Sequence, residues 1–235
     1  MKVAGSIALV TGANRGLGAR LVQQLLAAGA AKVYATSRGG ADVADPRVVP
    51  LTLDVTDEAS VQAAVAAAPD VTLLVNNAGV VRPGSGLTGN LDDFEHELAT
   101  NYLGTLRVTR AFVPVLAQHA PAAIVNVLTL LALAPVRSTA GYSASKAAAH
   151  SMTQSLRGQL RSRGITVVGV YPGSIDTDMI ADVNTYKASP ELVAERIVTA
   201  LAAGETMVFP DDASAAAGAI YLQDPLKLEQ MLTGY

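Results

Sequence analysis

Short apolar runs alternate with longer stretches along the chain. Most of these runs are continuous, which is typical of strands that are buried on both faces of a parallel sheet. The predicted strands are residues 7–10, 32–36, 48–53, 71–75, 123–128, 166–171 and 206–209. The predicted helices are residues 18–28, 57–67, 91–118, 142–163 and 190–203, with an extra helical tail at 213–235 interrupted near Asp224-Pro225. This alternation predicts an α/β fold, a doubly wound parallel sheet with right-handed crossovers.

Helix-capping residues support these boundaries. Gly29 and Gly164 lie where helices are expected to end, and Ser189-Pro190 suits an N-cap followed by the first helical residue. The sequence contains no internal repeat, low-complexity linker or shift in composition. We therefore expect residues 1–235 to form one domain, with the helical tail as its last part.

The composition narrows the possible classes of function. The chain has 235 residues, of which 50% are hydrophobic, and a formal net charge of -3 that argues against a nucleic-acid-binding surface. It has no cysteine, and its three histidines lie in different segments, so no metal site is expected. The apolar run at 6–10 is too short for a signal peptide, and no segment approaches the ~20 apolar residues of a membrane helix. We expect a cytoplasmic protein that binds neither nucleic acid nor membrane.

A glycine-rich loop follows the first predicted strand. Its sequence is Thr11-Gly12-Ala13-Asn14-Arg15-Gly16-Leu17-Gly18, and a helix is predicted to begin at its end. Glycines at 12, 16 and 18 allow a sharp turn and a close approach to a ligand, and the helix N-terminus offers free N–H groups to a pyrophosphate. The loop lacks the Gly-Lys-Ser or Gly-Lys-Thr ending of an ATP-binding P-loop. Its position favours a dinucleotide site over a simple tight turn.

The end of the second predicted strand indicates which dinucleotide. NAD enzymes of this type place an acid there to hold the ribose 2′-hydroxyl. This chain has Ser37-Arg38 instead, and Arg15 in the glycine loop is a second cation within reach. Because a guanidinium pairs well with a phosphate, the two arginines favour NADP(H) over NAD(H).

Tyr142 and Lys146 lie four residues apart in a predicted helix, which places them on one face, one turn apart. A phenol has an ordinary pKa near ~10, and a neighbouring ammonium favours the phenolate. The pair therefore predicts a tyrosine of lowered pKa that exchanges protons at working pH. The spacing alone is also common on solvated helix faces, so its interpretation depends on the rest of the chain.

Several motifs together resemble the short-chain dehydrogenase/reductase family over nearly the full length of the chain. They are residues 11–18, Asp54-Val55, Asn76-Asn77-Ala78-Gly79, Asn101, Gly141-Tyr142-Ser143-Ala144-Ser145-Lys146, Pro172-Gly173 and Thr177. Each is weak alone, but their joint order and spacing are specific. The resemblance implies a three-layer Rossmann-type fold with about seven strands in the order 3-2-1-4-5-6-7. It also implies that Tyr142 and Lys146 are catalytic.

The resemblance implies a role for each matched residue. Tyr142 is the acid/base, Lys146 binds the nicotinamide ribose, and Asn101 holds a water that relays protons to Lys146. Asp54 binds the adenine amino group, and residues 76–79 run beside the adenosine ribose. The full cofactor-binding set, with the residues inferred above, is Gly12, Asn14, Arg15, Gly16, Leu17, Gly18, Ser37, Arg38, Asp54, Val55, Asn77, Ala78, Gly79, Tyr142, Lys146, Pro172, Gly173, Ile175 and Thr177.

The chain departs from the family pattern in two places. The family usually has a serine thirteen positions before the tyrosine, where this chain has Thr129. Threonine keeps the hydroxyl that binds the substrate carbonyl oxygen and adds a methyl that narrows the pocket, so we expect Thr129 to be catalytic. The common Val-Asp-Gly-Gly ending is also missing, and Asp211-Asp212 lead into the helical tail instead.

The implied reaction is reversible hydride transfer between NADP(H) and a small uncharged ketone or aldehyde. We expect a mostly apolar substrate pocket lined by residues 81–86, 130–136, 174–175 and 179–187, under a short lid. We expect His150 on a helix face or at a subunit contact rather than in the chemistry. The predicted helices 91–118 and 142–163 are the family's usual contact faces, which implies a homodimer or homotetramer.

Two other classes of protein stay open on the sequence. A non-catalytic NADP-binding regulator or scaffold of the same fold is favoured only by Thr129, and the intact Tyr142, Lys146 and Asn101 argue against it. A related dehalogenase that has lost the cofactor should have bulkier residues in place of the glycine loop.

Overall fold

A computed structural model describes residues 2–40 and 45–234. Its strands are β1 (Ile7–Thr11), β2 (Lys32–Ser37), β3 (Val48–Thr52), β4 (Leu73–Asn76), β5 (Ala122–Val127), β6 (Ile165–Val170) and β7 (Met207–Val208). Its α-helices are α1 (Gly16–Ala27), α2 (Glu58–Ala67), α3 (Leu91–Glu97), α4 (Thr105–Gln118), α5 (Ala140–Leu160), α6 (Pro190–Ala203), α7 (Asp212–Gln223) and α8 (Pro225–Thr233). A π-helical segment, Leu98–Gly104, joins α3 to α4, and short 3-10 turns lie at Leu130–Ala132, Arg161–Arg163 and Asp178–Ile180.

The seven strands form one parallel sheet in the order β3-β2-β1-β4-β5-β6-β7. The predicted fold class and strand order are therefore confirmed. The chain reverses its direction of progress across the sheet between β1 and β4. Ligands of open α/β sheets bind at such a switch point, beyond the carboxyl ends of the strands. The loops that follow β1, β4 and β5 meet there.

Alternation along the strands divides the core between the two faces of the sheet. Ala8 and Val10 of β1 belong to a cluster that includes Leu21 of α1 and Ile197 of α6. Leu9 points to the other face and belongs to a cluster that includes Phe112 of α4. These six side chains are almost fully buried. The sheet therefore has helices on both faces, as expected from its continuous apolar strands.

Most predicted elements agree with the structure to within two residues. Asp57 and Ser189 cap α2 and α6 by accepting hydrogen bonds from backbone N–H groups, and Gly204 follows α6 in the left-handed region. The helical tail consists of α7 and α8, which are separated at Asp224; its last residue, Tyr235, and the loop residues 41–44 lie outside the described residues.

The helix predicted at 91–118 has the predicted bounds but is not α-helical throughout. The segment consists of α3, the π-helical segment 98–104 and α4. Apolar periodicity does not distinguish an α-turn from a π-turn, because both continue the same helix with one face toward the core. Such π-helical turns are rare and frequently lie at functional sites, and this one contains Asn101.

A ladder of buried amides and hydroxyls ties the central strands to the helices behind them. Asn76 Nδ2, at the end of β4, donates to Thr109 Oγ1 at 3.0 Å and to Asn126 Oδ1 at 2.9 Å. Asn126 Nδ2, in β5, donates to Thr153 Oγ1 of α5 at 2.9 Å. All four side chains are buried. The ladder fixes α4 and α5, which carries the tyrosine motif, to the central strands of the sheet near their carboxyl ends.

Asn126→Ala is expected to lower the free energy of unfolding by about 2 kcal/mol, because it removes two buried hydrogen bonds, those to Asn76 and Thr153. Urea denaturation measures this loss. Gln62→Ala is the control, since Gln62 is exposed and its amide donates to the exposed Glu58. Equal stability of the two variants would show that the ladder contributes nothing.

Candidate active site

The glycine loop packs directly on the residues that follow β4. Gly12 and Gly16 have φ values of 65° and 53°, which favour glycine. A Cβ on Gly12 would lie 3.0 Å from the Ala78 Cα, and a Cβ on Gly18 would collide with the Gly12 carbonyl oxygen. The loop therefore requires glycines at these positions for close approach.

Hydrogen bonds lock the loop to the end of β4. The buried Thr11 Oγ1 accepts from the backbone N–H groups of Asn77 and Ala78, each at 2.9 Å. In return, Asn77 Nδ2 donates to the carbonyl oxygens of Thr11 and Gly12, at 2.9 and 3.1 Å. The two loops at the switch point thus form one rigid unit.

The N-terminus of α1 is suited to an anion. Arg15 is its N-cap residue and makes no side-chain cap, and the first turn carries no acidic residue. The first backbone N–H groups of a helix have no partner within the helix and carry a partial positive charge. The cradle left by Gly12, Gly16 and Gly18 therefore fits a pyrophosphate.

The two predicted arginines belong to the loops that follow β1 and β2. Arg38 follows β2 and is exposed, and its charge contributes to lowering the pKa of Asp54, after the stronger effect of hydrogen bonds from Thr56. Arg15 forms an exposed ion pair with Asp178, with 3.2 Å between Nη1 and Oδ2. That contact joins the glycine loop to the segment after Thr177. Ser37 is buried, and its hydroxyl donates to the Gly40 carbonyl oxygen.

Lys146 is buried in α5 with 5% of its surface exposed. Its ammonium donates to the Val127 carbonyl oxygen at 2.8 Å and lies 5.9 Å from the centre of the Tyr142 ring. Burial lowers the pKa of Lys146 to about 8. No carboxylate pairs with it among the residues that the structure describes. The helix brings the two predicted catalytic side chains together, as their spacing required.

The expected lowering of the Tyr142 pKa is wrong. Burial raises the pKa of Tyr142 to about 12, against a smaller opposing effect from the Thr129 hydroxyl. The charge of Glu97 raises it further. The expectation of a lowered pKa took account of the neighbouring ammonium but not of desolvation, which has the largest effect on the Tyr142 pKa.

Glu97 is an acidic residue that the sequence did not single out. It is fully buried at the end of α3, and its Oε1 accepts from the Arg82 backbone N–H at 2.6 Å. Its Oε2 has no hydrogen-bond partner within the described part of the chain. Burial raises the pKa of Glu97. A Cβ on Gly141 would collide with Oε2, so this glycine leaves room for the carboxyl beside the start of α5.

Thr129 lies where the sequence places it, directly after β5. Its side chain is buried, and Oγ1 accepts from the Leu131 N–H at 3.3 Å and lies 3.4 Å from the Pro172 carbonyl oxygen, to which it donates. The Thr129 hydroxyl also lies near enough to Tyr142 to act against the rise in the pKa of that phenol. The two hydroxyls that were predicted to bind a substrate oxygen are therefore adjacent.

Asn101 is buried in the π-helical segment. Its Oδ1 accepts from the Val80 N–H at 2.9 Å, and its Nδ2 donates to the Val80 carbonyl oxygen and to Ser145 Oγ, each at 2.9 Å. A Cβ on Gly79 would lie 3.1 Å from Asn101 Oδ1 and 3.5 Å from Lys146 Nζ. Gly79 therefore keeps the space between Asn101 and Lys146 free of side chain.

The segment after β6 approaches the same site. The Pro172 carbonyl oxygen accepts from the Leu130 N–H at 3.0 Å, and the Gly173 N–H donates to Asp211 Oδ2 at 2.9 Å. Ile175 packs against the core beneath α1 and α6. A Cβ on Gly16 would lie 3.2 Å from Thr177 Cγ2, so this segment borders the glycine loop.

The four segments predicted to form the substrate pocket lie in different settings. Gly84 forms a bridge with Thr139 just before α5, which fixes the segment 81–86 beside Tyr142. Residues 130–134 are mostly buried, whereas Met179, Val183 and Tyr186 are about half exposed or more. His150 contacts Tyr171, with 2.7 Å between Nδ1 and the phenol oxygen.

Asp211 and Glu97 are the two buried acids at the site that the sequence analysis missed as site residues. Neither acid belongs to a sequence motif. Glu97 falls within a helical pattern, and Asp211 lies 38 residues from its partner Gly173. In the sequence, only the position of each acid in an apolar context could have indicated that it is buried. No group of three metal-binding side chains is present among residues 2–40 and 45–234. No helix in these ranges is both long and apolar enough to cross a bilayer.

The switch-point loops, the glycine cradle and the Tyr142–Lys146 helix define a dinucleotide-binding α/β oxidoreductase. Comparison with known proteins gives the family: the family described as short chain dehydrogenase matches residues 6–188, and the chain belongs to it. A 3-oxoacyl-(acyl-carrier-protein) reductase of Vibrio cholerae is 34% identical over 194 residues, 78% of this chain and 79% of that protein. An uncharacterized oxidoreductase of Staphylococcus saprophyticus is 30% identical, over 83% of this chain and 90% of that protein.

A solved structure gives a fuller match. A short chain dehydrogenase from Burkholderia cenocepacia, in complex with NADP, is 39% identical and covers 99% of both chains with a TM-score of 0.92. The similarity extends through the C-terminal helices, beyond the residues matched by the family.

Lys146→Met is expected to raise the free energy of unfolding at pH 7 by about 2 kcal/mol. The pKa of Lys146 falls from 10.5 to about 8 on folding. The folded state therefore carries the full cost of burying the charge below pH 8, and this cost is lost as the pH rises through 10.5. Removal of the bond to Val127 offsets part of the gain.

Chemical denaturation at pH 7 and pH 10.5 measures this difference. The gain should shrink at the higher pH. Lys227→Met is the control, because Lys227 is exposed in α8. A gain for Lys146→Met that is the same at both pH values would contradict the assignment to a buried charge.

Proposed function

We propose that the protein is an NADP(H)-dependent oxidoreductase that reduces a small uncharged ketone or aldehyde and catalyses the reverse oxidation. The observation that carries the proposal is the meeting of three groups at the carboxyl edge of the sheet. The Thr129 hydroxyl lies near enough to the Tyr142 phenol to affect its pKa, and the buried Lys146 ammonium lies 5.9 Å from the centre of the Tyr142 ring. The arrangement offers one hydroxyl to bind an oxygen and one to give it a proton.

The residues present fit NADP(H). The glycine cradle and the N-terminus of α1 would hold the pyrophosphate, and Arg38 with Arg15 would pair with the 2′-phosphate. Asp54 and Val55 would border the adenine, with residues 77–79 beside its ribose. Pro172, Gly173, Ile175 and Thr177 would contact the nicotinamide. NADP in the 39% identical Burkholderia protein supports this choice. When bound, NADPH supplies a hydride to the carbonyl carbon.

In the reduction, Thr129 binds the substrate oxygen by donating its hydroxyl proton, and Tyr142 donates the proton that completes the alcohol. Because the pKa of Tyr142 is raised to about 12, the phenol is protonated at neutral pH and ready to act as an acid. In the oxidation, the same group must first lose its proton, so that direction gains from higher pH.

Lys146 has two roles in this proposal. It binds the nicotinamide ribose, and its charge offsets the phenolate left on Tyr142 after proton transfer. Asn101 holds a water that returns a proton to Lys146 from solvent. The space that Gly79 leaves between Asn101 and Lys146 supports this route.

A homodimer or homotetramer through the α3–α4 and α5 face completes the proposal. Leu91, Leu98 and Leu103 are 71%, 37% and 45% exposed on this stretch. Exposed leucines in series favour a contact between subunits. We also propose that the chain acts as one domain in the cytoplasm.

Tyr142→Phe is expected to lower kcat for ketone reduction by at least about 10³-fold, because general acid catalysis and oxygen binding are lost together. NADPH binding should be retained, because the substitution removes only one oxygen atom. A panel of small ketones and aldehydes with NADPH and NADH in parallel measures both activity and cofactor choice. Tyr221→Phe is the control, since Tyr221 lies in α7, outside the segments assigned to cofactor or substrate.

Undiminished turnover by Tyr142→Phe would contradict the assignment of Tyr142 as the group that donates the proton. Cofactor binding by the wild-type protein with no turnover of any panel member would favour the alternative, a non-catalytic NADP-binding regulator.

Arg38→Ala is expected to raise KM for NADPH by about tenfold or more while leaving KM for NADH unchanged, because only NADPH carries the 2′-phosphate. Steady-state kinetics with both cofactors measures the split. Arg163→Ala is the control, since Arg163 is exposed before the start of β6, at the opposite edge of the sheet. An equal change with both cofactors would contradict this role of Arg38.

A further inference from the structure

The peptide group between Pro172 and Gly173 is held from both ends. On the carbonyl side, the Pro172 oxygen accepts from the Leu130 N–H at 3.0 Å and from Thr129 Oγ1 at 3.4 Å. On the amide side, the Gly173 N–H donates to Asp211 Oδ2 at 2.9 Å. One peptide plane therefore connects Asp211 with the hydroxyl that we assign to the substrate oxygen.

Asp211 is built into this position. It is only 1% exposed and is the N-cap residue of α7. Its Oδ1 accepts from the Ser214 N–H at 2.8 Å, while Ser214 Oγ accepts from the Asp211 N–H at 3.0 Å. The two carboxylate oxygens thus serve different partners, one in α7 and one in the turn after β6.

A carboxylate is the side chain that suits this arrangement. Both of its oxygens accept hydrogen bonds, so it satisfies two N–H donors from separate segments at once. An asparagine of the same shape has one accepting oxygen and would turn its amide N–H groups toward one of the donors. The positive end of α7 also favours the negative charge.

The contact is also close. A Cβ on Gly173 would lie 3.1 Å from Asp211 Oδ1, which is tighter than an ordinary van der Waals contact. Glycine at 173 therefore allows the carboxylate to reach the backbone N–H. The turn after β6 therefore needs a glycine at 173 for its contact with the start of α7, in addition to any need for close approach by a ligand.

We propose that Asp211 is a positioning residue for the active site: by fixing the Pro172–Gly173 peptide, it orients the nicotinamide-binding turn and the Thr129 hydroxyl. This inference rests on the proposed function. It gives the C-terminal segment, where the chain departs from the family's usual ending, a place in the cofactor site. The long 3.4 Å bond from Thr129 to Pro172 leaves the threonine proton available for a substrate oxygen.

Asp211→Asn tests the proposal, with Asp212→Asn as the matched control. Asp212 is the next residue, but its side chain is 79% exposed and pairs with Arg196. Two ligands are titrated: NADPH, and adenosine 2′,5′-bisphosphate, which represents only the adenosine half. Asp211→Asn should raise Kd for NADPH by about tenfold and lower kcat, while Kd for the bisphosphate stays within about twofold of wild type. Asp212→Asn should change neither.

Ser214→Ala separates positioning from helix capping. It removes the hydroxyl that accepts from the Asp211 N–H but keeps the carboxylate on Gly173. It should lower Tm without changing Kd for NADPH. An Asp211→Asn variant that affects both ligands equally, or neither, overturns the proposal, as does a Ser214→Ala variant with the same weakened NADPH binding.

If Asp211→Asn does not fold, Asp211→Ser decides the question, because a serine can still cap α7 but lacks the second oxygen that accepts from the Gly173 N–H. Weaker NADPH binding with unchanged bisphosphate binding supports the proposal, and equal changes overturn it. Failure of the proposed function is distinct: the wild-type protein would then bind neither ligand, or would turn over ketones without Tyr142.

Discussion

The burial of one ammonium group, that of Lys146, is the constraint around which the site is arranged. A charge without a carboxylate partner is unfavourable inside a protein, and a hydrogen bond to the Val127 carbonyl oxygen compensates part of this cost. The neighbouring Tyr142 is also buried, and because burial raises its pKa, the phenol stays protonated at neutral pH. Asn101 holds this helix face through Ser145, and Gly79 leaves space beside Lys146.

The fold holds that face by joining distant segments through backbone groups. Thr11 and Asn77 tie the glycine loop to β4, Asn126 ties β5 to α5, and Asn101 ties the π-helical segment to Val80. These polar side chains are largely buried and form hydrogen bonds, as buried groups must. A site assembled from loops thereby gains the rigidity of the sheet that carries them.

Much of this could be predicted from sequence, because the signals are local. Continuous apolar runs predicted the strands, the glycine spacing predicted the cradle, and a separation of four residues placed Tyr142 and Lys146 on one face. The π-helical turn at Asn101 could not be predicted, since periodicity does not register one extra residue per turn. The partnership of Asp211 with Gly173 and the burial of Glu97 depend on tertiary contacts. The predicted direction of the Tyr142 pKa shift was wrong for the same reason, because desolvation depends on the folded surroundings of the phenol.

The contact between Glu97 and Gly141 has a consequence for how this sequence can change. The Glu97 carboxyl and the Phe94 ring together occupy the space that a methyl group at 141 would need, so the three positions constrain one another. Shortening Glu97 alone would leave the Phe94 ring in the way of a larger residue at 141. Residues of α3 and α5 are therefore coupled although α4 and β5 lie between them in sequence, and engineering of this part of the site has to treat the three positions as a single unit.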